Sequence, residues 1–84
     1  MKITPGRIVL YRIHEWDLQG KNFDQTRPGD IVPLIVVRVW ENEFGIGKPG
    51  VNGQLILDDK MGTLWVTSKA EGTQKGQWFW PPRE

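Results

Sequence analysis

The chain of 84 residues contains no cysteine. Disulfides, thiolate metal sites and cysteine nucleophiles are therefore all excluded. Charge of one sign is also lacking: 11 basic and 10 acidic residues leave a formal net charge of +1. A protein that tracks duplex phosphates carries a basic footprint, so non-specific binding to duplex DNA is not expected, and only a local basic patch stays open. No apolar run approaches the length of a membrane span, and the first residues (MKITPG) hold no apolar signal region. These absences lead to the expectation of a soluble, intracellular protein without a membrane partner.

Catalytic equipment is sparse as well. His14 is the single histidine, and Glu15 and Asp17 beside it make only a sequence neighbourhood, not a triad. The stretch His14-Glu15-Trp16-Asp17 reads as a solvated loop rather than a metal site. Asp58-Asp59-Lys60 has the composition of a turn. Ser68 has no base near it in sequence, and no carboxylate pair is spaced for general acid–base work. The expectation is a protein that is not an enzyme, with no catalytic residues, no metal and no cofactor.

What the chain does have is tryptophan, five of them, four from position 40 onward (Trp40, Trp65, Trp78 and Trp80). One small core fully buries about two or three such rings, and the others must lie half-exposed, where a flat ring can pack on a subunit, a base or another ring. A chain this short forms one domain, residues 1–84, and needs support beyond its own core. Without disulfides, that support comes from aromatic packing and self-association.

Five segments read as strands. Residues 6–13 (GRIVLYRI) are rich in β-branched and aromatic residues. Residues 14–30 follow as a long excursion without a period, closed by the turn signal Arg27-Pro28-Gly29-Asp30, with Trp16 and Phe23 expected to anchor it. Residues 31–40 (IVPLIVVRVW) are the clearest strand, with Pro33 marking an edge or a bulge. Alternation from Ile35 predicts Ile35, Val37 and Val39 inward, and Val36, Arg38 and Trp40 outward. Residues 51–57 place Val51, Leu55 and Leu57 inward, and Asn52, Gln54 and Ile56 outward. Residues 63–68 place Leu64 and Val66 inward, and Trp65 and Thr67 outward. Residues 77–80 end at Pro81-Pro82. No helix and no internal repeat is visible. The expected fold is all-β: a small five-stranded antiparallel SH3-like barrel with a long loop after strand one. An OB-type barrel is the alternative, disfavoured because the helix it carries between strands three and four is missing.

If the three middle strands are neighbours, Arg38, Trp40, Asn52, Gln54, Trp65 and Thr67 share one outer surface. Indole faces stack on planar rings, a guanidinium pairs with phosphate or carboxylate, and amides read base edges. The same residues also make subunit interfaces. Trp78 and Trp80 fall on one face of the last strand, either closing the barrel or walling a pocket. Gly45-Ile46-Gly47-Lys48-Pro49-Gly50 matches G-x-G-x-x-G by letter, but Pro49-Gly50 leads into a strand and not a helix, so the dinucleotide fingerprint is rejected. Backbone amides of that loop beside Lys48 remain as an anion cradle, with a plain hairpin loop as the default.

The opening residues 1–12 (MKITPGRIVLYR), Pro28-Gly29-Asp30 before the apolar strand, Val51-Asn52-Gly53-Gln54, Leu57-Asp58, Trp65-Val66-Thr67-Ser68, Glu71-Gly72 and residues 76–82 (GQWFWPP) carry a resemblance. On them the chain resembles a family of small uncharacterised proteins of tailed bacteriophages and prophages. The likeness spans most of the chain except the excursion, which is shorter here. It implies a phage origin and a place in the host bacterial cytoplasm, without secretion. The leading expectation is a self-associating phage protein, a homo-oligomer, that binds a small nucleotide-like ligand and sequesters it from host defence. The alternatives are a virion (head–tail) component and an inhibitor that grips a host protein through the same aromatic face.

Overall fold

The computed structural model describes residues 2–82. Met1, Arg83 and Glu84, to which the family resemblance and the reading of Pro-Pro as a stop in part extend, lie outside the described residues. Five strands form one curled antiparallel sheet: β1 (Ile8–Arg12), β2 (Ile31–Trp40), β3 (Gly50–Ile56), β4 (Thr63–Ala70) and β5 (Trp78–Phe79), in the order β4-β3-β2-β1-β5. This is a small all-β, barrel-like fold with the long connection after β1 that the sequence predicts. Glu71, just past β4, bridges in parallel to Trp78 of β5 and draws the two outer strands of the sheet toward each other.

The core is the inner face of this curl. Val9, Tyr11 and Ile13 from the β1 segment meet Leu34 and Val36 of β2, Val51 and Leu55 of β3, and Leu64 and Val66 of β4. Period-2 alternation produces this face on β3 and β4 as expected, and on β1 as well. On β2 the expected phase is corrected. Leu34 and Val36 are buried, whereas Ile35 points outward half-buried and Val37 is exposed. The reason is a bulge between Val36 and Arg38: Val36 pairs with Gly53, and Arg38 already pairs with Asn52. One extra residue swaps the faces. Beyond it Val39 turns in and Arg38 and Trp40 turn out, so the outward positions of those two residues hold for a reason the alternation alone did not contain. Glycine at 53 permits the close approach, since a Cβ there would meet the Ile35 carbonyl and the Leu34 side chain.

The excursion is more ordered than a loop. Its start is a single helical turn, α1 (Glu15–Leu18), capped from both sides. Trp16 N–H donates to His14 Nδ1 at 3.0 Å, and His14 N–H donates to Asp17 Oδ2 at 2.8 Å. The same carboxylate accepts the Tyr11 hydroxyl at 2.8 Å. Burial, together with this bond to a carboxylate, pushes the Tyr11 phenol well above its usual range. Phe23 packs half-buried on the core as expected, but Trp16 is 72% exposed and anchors nothing; Leu18 takes that place. The tie that sequence reading missed is Asp59, on the β3–β4 turn. Its carboxylate accepts the N–H groups of Asp24, Gln25 and Thr26 at 3.2, 2.8 and 3.1 Å, and the Thr26 hydroxyl at 3.2 Å. The backbone bond from Gln25, followed by those from Asp24 and Thr26, holds the Asp59 carboxyl well below the ordinary carboxylate range.

Candidate recognition surface

Three neighbouring strands bring six of the sequence-predicted residues to one side. Arg38 pairs with Asn52 across β2 and β3, and Gln54 pairs with Trp65 across β3 and β4. The Arg38 guanidinium lies over the Trp40 ring, 4.8 Å from its centroid. Trp40 Nε1 donates to Asn52 Oδ1 at 3.2 Å, and the same oxygen accepts Ser68 N–H at 2.8 Å. Asn52 thus joins three strands. Its oxygen reaches into a second bulge, where Thr67 and Ser68 together face it and Ser68 takes φ 53°. A non-glycine residue is uncommon in that left-handed region, and the Asn52 bond helps hold it there. The carboxamide oxygen expected to read a base edge is therefore committed to positioning Trp40.

The indoles of Trp40 and Trp65 are 42% and 48% exposed. Trp40 stands opposite Gly50 and Trp65 opposite Gln54, on strands that flank β3. Four residues along and two strands across place them roughly 16 Å apart. One planar ring does not reach both from a single subunit. Between and beside them lies an apolar row: Trp65, Gln54, Ile35 and Ile8 are cross-strand partners in sequence across four strands. Ile56 on β3 and Leu10 paired with Phe79 extend it. Ile8 and Ile35 were not foreseen on this face. For Ile35 the misread β2 phase hid it; for Ile8 the inward alternation of Val9, Tyr11 and Ile13 was the available signal.

The Arg38 side chain makes no ion pair or hydrogen bond among the described residues, so its donors face outward while stacking holds its plane. Lys48 is not gathered into this group: it is exposed on the β2–β3 loop, its stem beside Gly45. In that loop, where a plain hairpin is the default reading and an anion cradle the lesser one, several amides are already spent. Gly47 N–H goes to Asn42 Oδ1 at 2.8 Å, Gly45 N–H to the Asn42 carbonyl, Lys48 N–H to the Gly45 carbonyl and Phe44 N–H to the Lys48 carbonyl. These four amides are satisfied within the loop.

Trp78 and Trp80 lie away from this surface. Trp78 is 1% exposed, paired with Tyr11 across β1 and β5, and its Nε1 donates to the Lys69 carbonyl at 3.1 Å. As a recognition residue it is corrected to a core ring that closes the barrel. Trp80 is half-buried and meets Trp78 edge to face, centroids 5.8 Å apart. Both line a cleft of about 380 Å³ with Ile3, Val39, Glu41 and Glu71. Among the described residues no three His, Asp or Glu side chains converge as metal ligands, and no helix is long and apolar enough to cross a membrane. Comparison with protein-family models, curated proteins and solved structures finds no match to this chain.

Proposed function

We propose that this protein is a non-catalytic recognition module that self-associates through the outer face of β2, β3 and β4 and holds a nucleotide-like ligand at its Arg38–Trp40 end. The observation that supports this reading best is the outward row of exposed Trp65 and Ile8 with half-buried Ile35 between them, continuing to the stacked Arg38–Trp40 pair. A flat, apolar face with a polar rim suits a second copy of itself more than a small molecule alone. Pairing two copies would bring a Trp40 of one toward the face of the other and so supply a second wall for a planar ring, while Arg38 offers paired donors to a phosphate. The phage resemblance adds the setting: a small protein in the host cytoplasm that withdraws a nucleotide signal.

Sedimentation equilibrium across a concentration series, followed by isothermal titration with cyclic oligonucleotides and ADP-ribose-type compounds, tests both halves. The expected result is a dimer or higher oligomer, with heat on titration that vanishes in Arg38→Ala. A strict monomer refutes the self-association, and no heat with any of these compounds at micromolar protein refutes the ligand class.

A further inference from the structure

The cleft beside Trp80 has chemistry opposite to that of the outer face. Its apolar lining is Ile3, Val39 and the two indoles Trp78 and Trp80; its polar lining includes Glu41, Asn42 and Glu71. A volume of about 380 Å³ is in the range that takes a small organic molecule. Two carboxylates disfavour a phosphate or a carboxylate in this space. One cation, Lys2, also lines it, and that ammonium is spent on Glu41 at 3.2 Å. Glu71 has no ion pair among the described residues. Trp80 already accepts one guanidinium: Arg7 lies 5.9 Å from its centroid and is not part of the cleft lining. An indole wall with carboxylates at hand is the arrangement that recognises a flat organic cation, through the ring quadrupole and charge-assisted hydrogen bonds together.

We propose that this cleft is a second binding site, separate from the outer face, for a small planar cation of the amidinium or guanidinium class. The ring or plane of the ligand rests on Trp80, and its charged end is taken by Glu71, with Glu41 as the second acceptor. Lys2 is the internal competitor for Glu41. The same Lys2–Glu41 pair also lines a neighbouring cleft that includes Arg38 and Val39, so the pair stands between the two spaces.

The test uses the full chain, ¹⁵N-labelled, titrated with benzamidine and with benzamide as its neutral twin of the same shape. Benzamidine is expected to move the Trp80 indole N–H resonance along a saturable curve, with benzamide weaker by about tenfold or more. Glu71→Gln is exposed and outside the core, so it should leave the melting temperature unchanged and weaken benzamidine about tenfold. Lys2→Ala should strengthen it about threefold by releasing Glu41. Equal binding of benzamide overturns the proposal, because the cleft would then be an apolar slot without charge selection. Unchanged affinity in Glu71→Gln overturns it too. So does a response at Trp40 or Trp65 with none at Trp80, which would assign the cation to the outer face. None of these results depends on whether the protein self-associates.

Discussion

Two pairs of tryptophans, identical in chemistry, meet opposite fates in this molecule. Trp78 and Trp80 sit edge to face at the closing seam of the sheet, one sealed in the core and the other resting on it. Trp40 and Trp65 stand outward on β2 and β4, about half their surface in solvent. Strand phase makes the difference. Tyr11 and Trp78 are register partners on the inner side of β1 and β5, while the β2 bulge turns Trp40 outward and plain alternation between Leu64 and Val66 turns Trp65 outward, on either side of β3. Burial of the inner pair serves stability, and exposure of the outer pair, on the function proposed above, serves contact. The same substitution at the two places should therefore have consequences of different kinds.

Trp78→Ala should be the most damaging change. It empties the seam and orphans the Lys69 carbonyl, at a cost of about 3–5 kcal/mol, a large part of the stability of a domain this size. A thermal melt should show a largely unfolded protein at 37 °C. If Trp78→Ala melts like the parent, the contrast between the pairs is lost.

Trp65→Ala and Trp40→Ala should stay folded, with melting temperatures lower by about 8 °C or less. Their effect belongs in association, where loss of a central indole weakens the contact by about 2 kcal/mol or more, read by sedimentation. Unfolding by either variant would move its ring into the class of Trp78. Asn52→Ala sharpens the point more finely. It frees Trp40 Nε1 and leaves the strained Ser68 N–H without its acceptor, for a loss of about 1 kcal/mol in a chemical melt. It should also raise the mobility of the Trp40 indole, visible as a weaker or broadened N–H signal.

The last test concerns neither pair, and so serves as the control. The folded Asp59 carboxyl lies below its unfolded value because backbone donors hold the anion. The folded state thus binds fewer protons there, and the stabilisation is complete above about pH 4 and drains away as the pH falls below it. Asp59→Asn should flatten that acid-side loss and speed amide exchange at Asp24, Gln25 and Thr26. Association through the outer face should not change. If it does, the excursion and the face are coupled.

Much of this was readable in the letters. The five strands, their order of burial on β3 and β4, and the outward positions of Asn52, Gln54, Trp65 and Thr67 follow from alternation between turn signals; Arg38 and Trp40 point outward as expected, but because of the bulge. Three things did not. The β2 bulge is invisible to alternation, because an extra residue leaves both halves of the strand internally consistent; Ile35 and Val36 were exchanged for that reason. The fate of Trp78 depends on its partner across β1, a contact 67 residues away in sequence. Asp59 reads as turn composition because its role is set by the amides it faces, and those lie 33 to 35 positions earlier. Local pattern fixes the face of a residue within its strand; it does not fix what waits on the other side.

The Asp59 clamp also bears on how this molecule can be altered. A hairpin tip is the habitual place to graft a tag or a foreign peptide, being exposed and short. Here the tip holds three amides of a distant segment, so a graft across it would unfasten the stretch from Asp24 to Thr26 without touching it. A chain engineered there would keep its sheet and lose its side flap.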